Sequence, residues 1–216
     1  MDNIELIIFD LDGTLVDSQY DLGDAVNHAL KKLNRPQISQ EKIPKMLGSG
    51  INKLLEFSLG TYTSQEFMQA QNIFMEFYAL HYTSKTTYFT GIPEILQHFS
   101  SLKKAVFSNK YHPYTVDILE NLKLSHHFEL IQGLLPDGIK PKPNPEGIYF
   151  ILEQLKVDSK KTLMVGDSTH DIEAGKQAGI FTCAVSYGYR PLSILKKSNP
   201  DFIIDNVKEL KNIINN

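Results

Sequence analysis

Short apolar runs alternate with helix-like stretches along most of the chain. "LIIF", from Leu6 to Phe9, is continuously apolar, as expected of a strand covered on both faces. Similar runs recur in "KKAVFS" near Val106, "FELIQG" near Leu130, "TLMVGD" near Met164, "FTCAVS" near Ala184 and "DFIID" near Ile203. Helical patterns separate many of them: "EILQHF" after Ile92-Pro93, where proline suits a first turn, then "NPEGIYFILEQL" and "STHDIEAGKQAG". Strands alternating with helices predict an α/β fold, a Rossmann-like parallel sheet with helices on both faces.

From Val16 to Lys85 the alternation stops and helix follows helix. "DLGDAVNHALKKL" comes first, then "SQEKIPKML", "INKLLEFSL" and "TSQEFMQAQNIFMEFYALHY". In the last, Thr63 and Glu66 form a capping-box pattern, and Phe67, Ala70, Phe74 and Phe77 fall on one face as a core stripe. The expected organisation is an α/β core from residues 1–15 and 86–216, with a small all-helical cap domain, residues 16–85, inserted after the first strand.

Composition narrows the function classes. The chain has 216 residues, enough for one domain and a modest insertion. Its net charge of −3 argues against a nucleic-acid protein. No apolar run is long enough to span a membrane, and Asp2 and Glu5 make the N-terminus unlike a secretory signal. The one cysteine, Cys183, reads as a small core residue and excludes an internal disulfide framework. The expectation is a cytoplasmic protein. The seven histidines show no ligand spacing; His112, His126 and His127 read as surface or turn residues.

Candidate chemistry gathers at strand ends. Asp10 closes the first apolar run and Asp12 follows two places later, so both carboxylates face one side of an extended segment. Burying like charges together is costly unless something pairs with them. Gly13 permits a sharp turn and Thr14 offers a hydroxyl. A hard cation such as Mg²⁺ relieves the repulsion. Asp-x-Asp alone is a weak signal, found also in metal-binding loops and nucleotide-sugar transferases, although the remaining ligands of an EF-hand are missing.

Further pieces lie downstream. In "VGDSTHD" Asp167 follows a strand and Asp171 comes four residues later; helix capping explains Ser168 or Thr169 more readily than Asp167. "VFSNK" ends a strand in Ser108 and Asn109, and "KPKPNP" is a proline-stiffened loop carrying Lys140 and Lys142. "LGSG", with Gly48, Ser49 and Gly50, is either an ordinary helix–helix turn or a loop presenting backbone N–H groups to an anion.

Taken in order, Asp-x-Asp-x-Thr, Ser, Lys and Gly-Asp-Ser-x-x-Asp resemble the four-part signature of the haloacid dehalogenase superfamily, over essentially the whole chain. Within it, "LGSGINKLL", "VSYGYRP" and "PDFIIDNVKEL" are similar to the phosphoglycolate phosphatase group. That group commonly carries three alternating prolines after its lysine. Counted from Lys140 all three are present; counted from Lys142 the third is Gly147. The distance to "VGDS" and the register of "ILEQL" favour Lys142.

The resemblance implies a Mg²⁺-dependent phosphatase for a small phosphorylated metabolite, 2-phosphoglycolate first, without nucleic acid or membrane partners, as a monomer or homodimer. Asp10 is then the nucleophile, forming an aspartyl-phosphate, and Asp12 the acid and base. Asp10, Asp12 and Asp167 hold Mg²⁺, the second of them through its backbone carbonyl. Lys142 offsets phosphate charge; Thr14, Ser108 and Asn109 contact the substrate, as do Gly48, Ser49 and Gly50 from the cap. Asp171 and Ser168 support the metal's surroundings. A mutase or phosphotransferase keeps the same motifs. A dehalogenase needs neither Asp12 nor Asp167, and a silent binding module is expected to have lost a motif residue.

Overall fold

The computed structural model describes residue 1 and residues 3–214; Asp2, used above in reading the N-terminus, lies outside the described residues. In chain order the strands are β1 (Leu6–Phe9), β2 (Val16–Asp17), β3 (Thr87–Tyr88), β4 (Lys103–Tyr111), β5 (Leu130–Leu134), β6 (Thr162–Gly166), β7 (Phe181–Val185) and β8 (Phe202–Ile204). The helices are α1 (Gln19–Lys32), α2 (Ile51–Leu59), α3 (Ser64–His81), α4 (Ile92–His98), α5 (His112–Asn121), α6 (Glu146–Leu155), α7 (Thr169–Ala178), α8 (Leu192–Lys197) and α9 (Leu210–Ile213).

Each apolar run becomes a strand of one six-stranded sheet, ordered β5-β4-β1-β6-β7-β8 and parallel throughout. The alternation of a pleated strand decides what β1 touches. Ile7 and Phe9 join Ile92, Ile95 and Leu96 of α4 and Ile118 of α5 on one face. Leu6 and Ile8 join Ile148 and Ile151 of α6 and Ala174 of α7 on the other. Cys183 is fully buried in the sheet, as its reading as a core residue requires. Among the described residues no helix is long and apolar enough to cross a membrane.

Strand order also places the site. From β1 the chain moves to β4 and β5 on one side, then crosses back to β6 on the other. Such a reversal opens a crevice beyond the C-terminal ends of the strands on either side of it.

Helices α1, α2 and α3 pack around their own apolar cluster, which includes Leu22, Val26, Leu30, Leu54, Leu55, Phe74 and Tyr78. The chain enters and leaves this segment along β2 and β3, which pair antiparallel with Val16 opposite Tyr88. One expected helix is absent. "SQEKIPKML" makes two single turns, Gln40–Lys42 and Pro44–Met46, because Pro44 has no N–H with which to continue a helical ladder. The capping box at α3 is present: Thr63 Oγ1 accepts from Glu66 N at 3.2 Å, and Glu66 Oε2 accepts from Thr63 N at 2.9 Å. The buried stripe of α3 runs through Ala70, Phe74 and Tyr78, while Phe67 and Phe77 are half-buried. Phe77 instead stacks between the rings of His28 and His81.

Phe74 is fully buried in this cluster. Phe74→Ala should therefore lower unfolding free energy by about 3–5 kcal/mol. Met68→Ala, at a side chain 57% exposed, should stay within about 0.5 kcal/mol. Urea unfolding of the two variants measures both.

Candidate active site

β1 ends at Phe9, and Asp10 is fixed by its own backbone: Asp10 N donates to Val165 O of β6 at 2.9 Å. The chain then winds tightly, the Leu11 carbonyl accepting from Leu15 N at 2.9 Å and Val16 N at 3.0 Å. Gly13 has φ +86°, and a Cβ there would lie 2.3 Å from Asp167 Oδ2, so conformation and space both demand glycine. At the end of β6 a Cβ on Gly166 would lie 2.3 Å from Asp171 Cγ. Backbone therefore packs directly against two of the acidic side chains.

Lys142 sits at the centre. Its Nζ donates to Asp10 Oδ1 at 2.8 Å, Asp171 Oδ1 at 2.6 Å and the Phe107 carbonyl at 2.7 Å, which occupies all three of its protons. Lys140 is exposed, so of the two lysines it is Lys142 that lies among the acidic side chains. The missing third proline has a packing reason: a Cβ on Gly147 would come within 2.2 Å of the Phe107 ring. Burial opposes the charge on Lys142, but Asp10 and Asp171 outweigh it and push the ammonium up.

The carboxylates are crowded. One oxygen from each of Asp10, Asp167 and Asp171 fits within a 4.8 Å group. Burial, with Asp171 and Asp12 nearby, pushes Asp10 up to about 7 against the pull of Lys142. Burial and the Asp10 and Asp171 charges push Asp167 well above the ordinary carboxylate range. Asp167 Oδ2 accepts from Tyr189 N at 2.6 Å, but Oδ1 is buried with no hydrogen-bond partner among the described residues. Both oxygens of Asp171 are taken, Oδ1 by Lys142 and Oδ2 by Ser168 N at 3.0 Å and Ser168 Oγ at 2.7 Å. All three carboxylates offer an oxygen that fits a hard cation, and the Oδ1 of Asp167 is the one without a competing partner among the described residues.

A cleft opens over these groups. Asp10, Asp12, Ser108, Asn109, Lys142, Ser168, Gly48 and Gly50 all line it, so the structure brings most of the expected residues together. Four arrangements differ from expectation. Thr14 is fully buried, its Oγ1 has no partner among the described residues, and it is not among the cleft-lining residues. Asn109 spends its amide on the backbone of Lys142, Nδ2 donating to O at 3.0 Å and Oδ1 accepting from N at 2.8 Å; it is a strut for the lysine loop. Asp171 accepts from Lys142 Nζ at Oδ1 and caps α7 with Ser168 at Oδ2, so it is tied to the lysine and to a helix end as well as lying in the acidic cluster. Ser49 lines a neighbouring groove, with Arg190 Nη2 3.4 Å from its Oγ.

Several residues escaped the sequence reading. Lys110 Nζ donates to both oxygens of Asp12 at 3.0 Å, and Ser18 Oγ donates to the same carboxylate. His170 Nδ1 donates to the Gly48 carbonyl at 3.2 Å, and Arg190 Nη1 to the Lys45 carbonyl at 3.0 Å. Lys110 and His170 sit inside motifs already quoted, yet motif spacing says nothing about which way they point.

Similarity to known proteins falls on this arrangement. The model of the haloacid dehalogenase-like hydrolases matches residues 7–185. A phosphoglycolate phosphatase of Aquifex aeolicus is 35% identical, covering 99% of this chain and 98% of its own. One from Vibrio parahaemolyticus is 31% identical, covering 98% and 96%. The crystal structure of a predicted phosphoglycolate phosphatase from Haemophilus somnus superposes with a TM-score of 0.88 at 30% identity, covering 98% of each chain.

The crowding has a measurable consequence. With chelator present, Asp167→Asn should raise the thermal midpoint, because it removes a buried charge and keeps the acceptor for Tyr189 N. Because Asp10 and Asp167 titrate above their unfolded values, the folded state holds extra protons above the ordinary carboxylate range, those of Asp10 up to about pH 7. Stability from these groups thus falls as pH rises through that window. Melting curves against pH, with chelator and with excess Mg²⁺, should show the slope in the first case and its flattening in the second.

Proposed function

The chain belongs to the haloacid dehalogenase-like hydrolases, and we propose that within this family it hydrolyses small phosphomonoesters with the help of Mg²⁺. The observation that carries the reading is Lys142 buried against Asp10, with the partnerless Oδ1 of Asp167 in the same cluster. One ammonium and one cation-seeking oxygen flank a carboxylate nucleophile, as a phosphoryl group with developing charge requires.

Asp10 attacks phosphorus and carries the phosphoryl group as an aspartyl-phosphate, while Lys142 offsets charge on its oxygens. Asp12 gives a proton to the leaving alkoxide and later takes one from the attacking water. Ser108, buried on the cleft wall, donates its hydroxyl to the phosphate. When bound by Asp10 and Asp167, with the Asp12 backbone carbonyl in support, Mg²⁺ supplies neutralising charge. We read residues 16–85 as a cap over residues 1–15 and 86–216. Leu22, Leu47, Ile51 and Leu54 of that segment line the cleft and restrict it to small leaving groups.

Among small esters 2-phosphoglycolate is the leading substrate, because the curated relatives reported above are phosphoglycolate phosphatases. Such an enzyme is placed in the cytoplasm, with metabolite as its partner. A panel of phosphomonoesters with Mg²⁺ tests the substrate: 2-phosphoglycolate should outrank hexose phosphates and nucleoside monophosphates, and the reverse order rejects it.

Asp10→Asn should abolish turnover without unfolding the chain, since side-chain shape is kept; near-normal turnover would sink the nucleophile assignment. Chelation should stop the wild-type reaction, Mg²⁺ should restore it, and Ca²⁺ should do so poorly because its coordination is larger and less regular.

A further inference from the structure

Lys110 lies two residues beyond Ser108 on β4, so the two side chains fall on the same side of the strand. Its side chain is 4% exposed and its ammonium meets Asp12 with both carboxylate oxygens at 3.0 Å. On another side the Tyr78 ring lies 5.2 Å from Nζ, and Tyr78 is a fully buried residue of α3. Asp12 itself is more open, its side chain 17% exposed toward the cleft. Apart from Lys110, its carboxylate is held only by Ser18 Oγ among the described residues.

We propose that Lys110 is a positioning residue for the acid–base carboxylate, holding Asp12 in the rotamer that faces the leaving-group oxygen. The inference rests on the phosphatase reading and deepens it. A short carboxylate with two rotatable bonds transfers a proton efficiently only if its orientation is fixed before the reaction. The paired contact fixes the plane of the carboxylate, which a single hydroxyl from Ser18 does not. The same strand thereby supplies the Ser108 hydroxyl at the phosphate and the ammonium that aims the proton donor. Because the Tyr78 ring backs the ammonium, the packing of α3 bears on the orientation of Asp12.

The test is the dependence of kcat/KM on the leaving group. Proton donation matters for an alkoxide and little for 4-nitrophenolate, which leaves without help. Lys110→Met should lose about 100-fold on an alkyl phosphomonoester and less than about 10-fold on 4-nitrophenyl phosphate, with the loss in kcat. Lys110→Arg, which restores a cationic two-point donor, should recover much of the difference. In an Asp12→Asn background, Lys110→Met should add no more than about a twofold further loss, because the two act as one unit.

An equal loss on both esters overturns the proposal, as does a change in KM alone, which would assign Lys110 to substrate binding. If Lys110→Met does not fold, Lys110→Gln, which keeps one donor toward Asp12, is read by the same comparison. A wild type inactive on every ester removes the phosphatase reading; an active wild type with a flat loss removes only the role of Lys110.

Discussion

The ammonium of Lys142 is surrounded by oxygens of Asp10, Asp171 and the Phe107 carbonyl, 132, 29 and 35 residues away in sequence. Each contributes from a different place in the fold: the end of β1, the first turn of α7 and the middle of β4. A buried lysine without these partners would lose its proton or unfold its surroundings. With them it ties three elements together at one point. Asn109 completes the tie by holding the lysine's own backbone at both its N–H and its C=O.

Charge balance around that point shows why the site needs a further partner. Asp10, Asp12, Asp167 and Asp171 bring four carboxylates, while Lys110 and Lys142 bring two ammoniums. When all are ionised, the two remaining negative charges equal the charge of one divalent cation. The deficit is also localised. Asp12 has Lys110 to itself and Asp171 accepts three hydrogen bonds from Lys142 and Ser168, whereas Asp167 Oδ1 has no partner among the described residues. Burial pushes Asp10 and Asp167 upward.

Much of this was legible in the sequence because it is carried by local pattern. Continuous apolar runs mark the buried strands, and a carboxylate immediately after such a run sits at a strand end whatever the rest of the chain does. Asp10 and Asp167 follow from that rule alone. The preference for Lys142 over Lys140 required register against "VGDS", and it is Lys142 whose ammonium meets Asp10. What could not be read depends on direction across long separations. Lys110 looks like any charge at a strand end until Asp12 is seen opposite it. Asn109 sits where a ligand contact was expected, yet its amide is consumed by a loop 33 residues away. Thr14 follows the acidic pair closely, but the winding of the chain around Leu11 leaves it buried outside the cleft lining. The helix expected at "SQEKIPKML" failed for a local reason, Pro44, that the sequence did display.

The remaining constraint is how the helical segment is joined to the sheet. Its covalent connections are the paired two-residue strands β2 and β3, beginning within a few residues of Asp12. Polar ties from the rest of the chain include His170 of α7 to the Gly48 carbonyl, Arg190 to the Lys45 carbonyl, and the Tyr189 hydroxyl accepting from Ser18 N at 2.9 Å. Tyr189 is the informative one. Its backbone N–H fixes Asp167 Oδ2, while its ring belongs to the apolar cluster of α1, α2 and α3. Just before it, a Cβ on Gly188 would meet Asp167 Cβ at 2.3 Å, so this loop is pressed against the carboxylate with no side chain between them. A rigid backbone contact at one end and a ring embedded in the helical cluster at the other make a single residue span both bodies. The orientation of Asp167, and with it the direction in which its partnerless Oδ1 points, is therefore set jointly by the sheet that carries it and by the helical segment that grips the loop beside it.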